Sequence, residues 1–346
     1  MIKTTAFTYQ LQFKYPFKIA HGVRTTTPIV IVKLNYQNLI AYGEASLPPY
    51  LSETQDSVLL FIKKAQSFLS SLTNFDVIND ILEELDSIQK NNTAAKASID
   101  IALHDLIGKI KKQSVWEMIG ADKYNTPFTT HTIGIDTEDM IFKKIKEAKE
   151  FKTLKIKLDG KNDKQIISTI RNMTMQPLAV DVNQGWKNYE DAMHMIEWLQ
   201  HKNVVLIEQP LRKEKLDDSF KLFENSPLPI YADESIQRIN DIENIKDCFH
   251  GFNIKLMKCT GINEAKKMIS LARRLNKKVL IGCMSETSCA VSAAAHLSPL
   301  ADYADLDGPL LINNDLFDGI KYNEGKICLN NESGIGVELK RGIELT

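Results

Sequence analysis

Long apolar runs, paired cysteines and an excess of either charge are all missing from this 346-residue sequence, and each absence removes a class of function. No stretch approaches the roughly 20 apolar residues that a membrane span requires. The opening MIKTTAFTYQLQFKYPFK has no unbroken apolar segment of the kind a secretory signal carries. A cytoplasmic protein without a membrane partner is therefore expected. Lys and Arg number 43 against 44 Asp and Glu, a net charge of −1, with no basic run or aromatic-spaced Lys/Arg cluster, so no nucleic-acid partner is expected. Cys248, Cys259, Cys283, Cys289 and Cys328 are odd in number, confined to the C-terminal third and without a CxxC pair. They read as reduced thiols, neither a disulfide frame nor a zinc site.

What is present is a globular composition, 43% hydrophobic and 25% charged, in a chain long enough for more than one domain. Residues 1 to about 50 alternate as an antiparallel sheet: FTYQLQF, then PIVIVKLNY, a turn at Gln37-Asn38, and LIAYGEA. IAHGVRTTTP, between the first two strands, reads as a polar functional loop. From Ser52 to about Ile119 the period becomes helical, with Val58, Phe61, Ile62, Ala65, Phe68 and Leu69 on one face. An α+β unit over residues 1–124 follows.

Beyond the turn formers at 120–127, short apolar runs alternate with charged amphipathic helices. The runs are HTIGI, TLKIKL, LAVDVN, VVLIEQP, PIYADES, GFNIKL, KVLIGCM and YADLDG. Eight βα-type repeats imply a parallel barrel over 125–320, and the short strands after it, 321–346, are expected to return to the N-terminal unit. In such a barrel alternate side chains face the helices or the interior, and sites collect at the C-terminal strand ends. Leu154, Ile156 and Leu158 share one face of the second run, which turns Lys155 and Lys157 inward. Asp181 and Asn183, Glu208, Asp233, Lys255, and Asp305 with Asp307 fall at the same end of later runs. The steps from Lys157 through Asp181, Glu208, Asp233, Lys255, Cys283 and Asp305 are 24, 27, 25, 22, 28 and 22 residues, one repeat each.

Asp181, Glu208 and Asp233 converging in a low-dielectric mouth would repel without a cation, and all-oxygen ligation suits Mg²⁺. No histidine competes as a ligand: His131 begins a strand, and His104, His194, His201 and His296 lie in helical patterns. Strands 2 and 6 of an eight-strand ring are opposite, so Lys157 and Lys255 would serve opposite faces of one carbon. One lysine removes a proton and the other returns one, which inverts a stereocentre. The intervening enediolate would be stabilised by Mg²⁺ and Lys155, and a lysine acting as base near neutral pH needs its pKa lowered.

KIK at 155–157, DVNQGW at 181–186, IEQP at 207–210, ADES at 232–235, NIKLMK at 253–258 and DLDGP at 305–309 together resemble the enolase superfamily, in its muconate-lactonising subgroup. Within it they resemble the dipeptide epimerases, and AKASIDIALHDLIGK extends the similarity into the N-terminal unit. The resemblance implies a modified (β/α)7β TIM barrel under an α+β capping domain, with a dipeptide as small-molecule substrate. Asp305 and Asp307 suit the substrate ammonium, having no ion of their own. Thr132, Cys283 and Ser285 are implied as substrate-lining residues.

Epimerases of Ala-Glu in this family carry an arginine two residues beyond the Ala of an FKxA segment. Here FKIA is followed by His21 and Gly22, and the arginine comes at Arg24. The displacement favours Ala-Xaa dipeptides with a small neutral or hydrophobic Xaa, with Ala-Glu as the alternative. o-Succinylbenzoate synthase or muconate cycloisomerase chemistry, which does not need DLD, and non-catalytic dipeptide binding are the competing readings. Whether the chain forms a homo-oligomer is left open.

Overall fold

A computed structural model describes residues 1–19 and 22–345. β1 (Lys3–Ile19), β2 (Gly22–Tyr36) and β3 (Leu39–Ser46) form an antiparallel sheet in chain order. β1 and β2 pair from Lys3 with Asn35 to Gln12 with Thr26, slip, and resume with Phe17 opposite Arg24. Pro16, which has no N–H to give, lies in the slip. The segment expected to be a polar loop is thus mostly hairpin arm. Its Val23 and Thr25 to Thr27 are β-branched and favour extended backbone, and Val23, Thr25 and Thr26 are exposed on an arm that projects into solvent, while Thr27 is buried. Ala20 and His21, part of the FKIA argument, fall outside the described residues.

Helix α1 (Gln55–Ser71) starts with a reciprocal Thr54/Ser57 capping box and buries Val58, Phe61, Ile62, Ala65 and Leu69, with Phe68 only half-buried. α2 (Ile78–Ser87) leads to α3 (Thr93–Lys111), which is buried on every side from Ala94 to Gly108. β3 covers one side of α3, so closely that a Cβ on Gly43 would lie 1.9 Å from the Ser98 carbonyl oxygen. On its other side Asp100 accepts the N–H groups of Ile262 and Asn263 at 2.7 and 3.2 Å. Those two open a barrel helix, so the N-terminal sheet is fixed to the barrel through α3. A short α4 (Val115–Met118) follows.

Eight parallel strands then follow in ring order: β4 (His131–Ile133), β5 (Leu154–Lys157), β6 (Leu178–Asp181), β7 (Val204–Glu208), β8 (Ile230–Ala232), β9 (Gly251–Lys255), β10 (Lys278–Gly282) and β11 (Tyr303–Asp305). α5 (Glu138–Glu147), α6 (Asp163–Arg171), α7 (Tyr189–Leu199), α8 (Leu216–Asn225), α9 (Asp241–Ile245), α10 (Ile262–Arg274) and α11 (Ser288–Ala295) connect them. A parallel bridge between Thr129 and Ala304 closes the ring. This is the expected (β/α)7β barrel.

Inside it, Ala179, Leu206, Tyr231 and Leu280 form a separate buried cluster. Gly251 makes room for Tyr231, since a Cβ there would stand 2.3 Å from the ring. The N-terminal end is thereby filled, and the polar residues are left to the other end. After β11 the chain reaches back to the first helices, with Ser114 bridged to Gly334 and Trp116 Nε1 donating to Asn330 O at 2.9 Å. Among the described residues no helix is long and apolar enough to cross a membrane.

Candidate active site

The alternation that turns Leu154 and Ile156 toward the helices turns Lys155 and Lys157 into the barrel, where they are 2% and 9% exposed. Asp181, Glu208, Lys255 and Asp305 end β6, β7, β9 and β11, and Asp233 directly follows β8. Together they surround the C-terminal mouth. Ligand atoms of Asp181, Glu208 and Asp233 lie within 4.8 Å of one another, all buried.

Lysines separate these acids. Lys155 Nζ lies 2.7 Å from Glu208 Oε2, 2.7 Å from Asp305 Oδ2 and 3.2 Å from Asp181 Oδ2. Lys157 Nζ meets Asp181 Oδ2 at 2.6 Å, and Lys255 Nζ meets Asp233 Oδ2 at 2.7 Å. Lys258, fully buried, donates to Asp233 Oδ1 at 2.5 Å and to the carbonyls of Asp233 and Asn253. Asn253 Nδ2 donates to Glu208 Oε1 at 2.8 Å.

Burial opposes charge on every one of these groups, and the neighbours decide the outcome. Burial would raise Asp181, but Lys157 and Lys155 hold it down to about 2. Asp233 is likewise kept well below the usual carboxylate range by Lys255 and Lys258. Glu208 goes the other way: burial and then Asp181 push it up to about 7. Glu234, beside Asp233, is pushed up to about 8 by burial and Asp233. Lys155 and Lys255 stand well above the ordinary lysine value, despite burial, because Asp305 and then Glu208 face Lys155 and Asp233 faces Lys255. A lysine acting as base requires the opposite shift. Without a cation on the carboxylates, the lysines serve as their counter-ions.

Carboxyl groups outnumber ammonium groups around the mouth. Asp181, Glu208, Asp233, Glu234, Asp305 and Asp307 face Lys155, Lys157, Lys255 and Lys258, an excess of two carboxyl groups over ammonium groups. Adding Glu286 and Arg24 leaves that excess unchanged. Glu208 Oε2, Glu234 Oε2 and Asn183 Oδ1 are buried without a hydrogen bond, the Lys155 contact to Glu208 being an unaligned ion pair. Three adjacent carboxylates with an unsatisfied oxygen fit an octahedral ion that takes oxygen ligands.

Across the mouth, Asp305 Oδ1 accepts from Thr130 Oγ1 at 2.7 Å while its Oδ2 is taken by Lys155. Asp307 Oδ2 accepts the Thr132 N–H at 2.6 Å, and burial followed by the Asp305 charge pushes Asp307 up to about 7. The expectation that neither aspartate has an ion of its own fails for Asp305. Asp305 is held by Lys155, a contact 150 residues apart in sequence that repeat spacing does not report.

The cavity over this mouth, about 100 Å³, is lined by Thr132, Lys155, Lys157, Asp233, Lys255, Cys283, Ser285, Asp305 and Asp307 from the barrel, and by Phe17, Arg24, Pro48 and Tyr50 from the N-terminal sheet and the turn after it. Arg24 donates to Thr27 Oγ1 at 3.2 Å and lies 5.8 Å from the Phe13 ring centre. Burial lowers its pKa, and among the described residues no carboxylate pairs with it. Asp181 and Glu208 lie beneath the lining. Every residue singled out from the sequence is therefore in or directly under one cavity.

The sequence reading assigned no role to Lys258, Glu234, Gln209 or Tyr50. Gln209, at φ 39°, accepts the N–H groups of Asp233 and Ser235 and so holds one strand end against the next. Glu234 and Gln209 each follow an inward acid directly in sequence, which was their available signal. Tyr50 had none.

Residues 141–343 match the family described as enolase C-terminal domain-like, and residues 1–120 match the mandelate racemase / muconate lactonizing enzyme N-terminal domain. The chain is 51% identical over 337 residues to the L-Ala-D/L-Glu epimerase of Bacteroides thetaiotaomicron, covering 97% of this chain and 88% of that one. It is 35% identical to the L-Ala-D/L-amino acid epimerase of Pedosphaera parvula, over 91% of this chain and 92% of its relative. It is also similar to the crystal structure of a dipeptide epimerase from Cytophaga hutchinsonii complexed with Mg and D-Ala-L-Val, with a TM-score of 0.91, 28% identity, and coverage of 98% and 96%.

Proposed function

This chain belongs to the mandelate racemase / muconate lactonizing enzyme family of the enolase superfamily, and from that premise we propose that it is a Mg²⁺-dependent epimerase of alanyl dipeptides, inverting the α-carbon of the C-terminal residue. The observation that carries the reading is a single cavity with lysines from opposite strands β5 and β9, a buried acid triad between them and an unpaired aspartate at one end.

Asp181, Glu208 and Asp233 would hold Mg²⁺, which when bound would supply positive charge beside the substrate carboxylate. Lys157 and Lys255 face the α-carbon from opposite sides. One accepts its proton while the other donates one to the far face. Lys155, wholly buried, keeps its proton and donates to the developing oxyanion. Asp307, with Asp305 behind it, receives the substrate α-ammonium, and Thr132, Cys283 and Ser285 shape the cavity. A lyase or cycloisomerase acting on a dicarboxylate has no ammonium for these aspartates. A binding protein has no use for opposed lysines.

The second substrate residue is read as acidic. The displaced arginine argued for a small neutral one, but Arg24 lines the cavity as a partly desolvated cation without a carboxylate partner. A glutamate side chain supplies that partner. Arg24→Ala is expected to lower kcat/KM for Ala-Glu about a hundredfold and for Ala-Gln by less than about threefold. Equal losses on both substrates would return the assignment to a neutral side chain.

Free dipeptides should require Asp307. Asp307→Asn keeps the acceptor for the Thr132 N–H but removes the charge that faces the ammonium, so kcat/KM should fall about thirtyfold to a hundredfold. N-acetyl dipeptides should be similarly poor substrates of the unaltered enzyme. Undiminished turnover of N-acetyl-Ala-Glu would make the DLD aspartates structural and weaken the dipeptide assignment.

A further inference from the structure

Glu44 is a wholly buried carboxyl group that the chemistry above leaves unused. It lies on β3, and both of its oxygens meet one barrel residue: Oε1 accepts the Thr287 N–H at 3.0 Å, and Oε2 is hydrogen-bonded to Thr287 Oγ1. Thr287 is the N-cap of α11, its Oγ1 accepting the Cys289 N–H at 3.1 Å. Two residues along the strand, on the same face, Ser46 Oγ donates to the carbonyl of Ser285 at 2.7 Å. The segment between these anchors is braced from within, where Glu286 Oε1 accepts the Met284 N–H at 2.9 Å.

Cys283, Met284 and Ser285 form a wall of the substrate cavity. That wall is a turn after β10, and its backbone is fastened at 285 and 287 to a strand of the other layer. β3 cannot shift to follow it, because Gly43 leaves no space between the strand and α3. Burial, and then the charges of Glu286 and Asp315, push Glu44 up to about 8. Its two oxygens accept the Thr287 N–H and the Thr287 hydroxyl at once.

We propose that Glu44 is a positioning residue: by gripping Thr287 from the N-terminal sheet it sets the 283–287 turn, and through that turn the fit of the substrate. The inference rests on the epimerase reading for its substrate. Its mechanical part, a grip of β3 on the turn, does not.

The test compares Glu44→Ala with Glu44→Gln, whose amide can accept the Thr287 N–H through its oxygen and meet Thr287 Oγ1 through its nitrogen. Glu44→Ala should raise KM for the dipeptide about tenfold while kcat stays within about threefold, and Gln should restore most of the loss. Hydrogen exchange of amides 283–289 should quicken in the Ala variant and return toward the parent rate in Gln, with the amides of β9 unaffected. If Glu44→Ala does not fold, Ser46→Ala removes the other anchor and should quicken exchange over the same turn. A lowered Tm with unchanged KM and unchanged exchange would make Glu44 a packing group only and overturn the proposal. Accelerated exchange in a protein that epimerises no dipeptide would sink the functional reading and leave the grip standing.

Discussion

Asp181→Asn, Glu208→Gln and Asp233→Asn are each expected to lower kcat by about a thousandfold or more, roughly 4 kcal/mol of barrier, with little loss of folded protein. Each change removes one charge while nearly preserving shape, so a large kinetic effect with a small structural one is the signature of a cation site. Glu208 sharpens the expectation. Burial and Asp181 raise it from its ordinary 4.5 to about 7, so in metal-free protein its ionisation opposes the fold. The folded state holds the extra proton between those values, and stability contributed by this group is lost as pH rises from 4.5 to 7. Glu208→Gln cannot ionise at this position, and in the presence of a chelator its Tm should fall less over that window than the parent's does. Added Mg²⁺ should raise the parent's Tm and not that of Glu208→Gln. Full activity after exhaustive chelation would remove the metal from the account.

Much of this site is legible in the sequence because a barrel converts spacing into position. Leu154-Lys155-Ile156-Lys157 fixes which face turns inward, and steps of 22 to 28 residues bring Asp181, Glu208, Asp233, Lys255 and Asp305 to the same rim. Alternation and repeat length suffice for that. Neither reports which side chains meet across the ring. The Lys155 contact with Asp305 and the Glu44 contact with Thr287 join residues 150 and 243 apart, the first within the barrel and the second between the N-terminal sheet and the barrel. The polarity of the arm from Gly22 to Thr27 predicts a loop, whereas its β-branching is the better guide to its backbone. The direction of the lysine shifts was also out of reach. It follows from hydrogen-bond partners, here Asp233 for Lys255, and not from the number of ammonium groups nearby.

An equally large effect should come from the lysines. Lys157→Ala and Lys255→Ala are each expected to stop epimerisation to below about 10⁻³ of the parent rate, because inversion needs a base on one face and an acid on the other. The losses should not be equivalent. With Lys157 gone, Lys255 still faces the α-carbon from its own side, and the reverse holds for the other variant. A single remaining lysine can remove a proton and return a deuteron to the same face, which exchanges the hydrogen and retains configuration. Lys157 hydrogen-bonds Asp181, and Lys255 hydrogen-bonds Asp233, so each lysine keeps its own support when the other is removed. Folded, metal-binding variants are expected in both cases, and a circular dichroism spectrum matching the parent checks that before any rate is compared.

The most direct measurement is proton NMR of L-Ala-L-Glu and L-Ala-D-Glu incubated separately with each lysine variant and Mg²⁺ in deuterated water. Lys157→Ala and Lys255→Ala should each exchange the glutamyl α-hydrogen of one diastereomer, opposite ones for the two variants, without converting either into the other. Exchange of the same diastereomer by both variants would put the lysines on one side of the substrate, and substantial epimerisation by either variant alone would contradict the two-lysine mechanism.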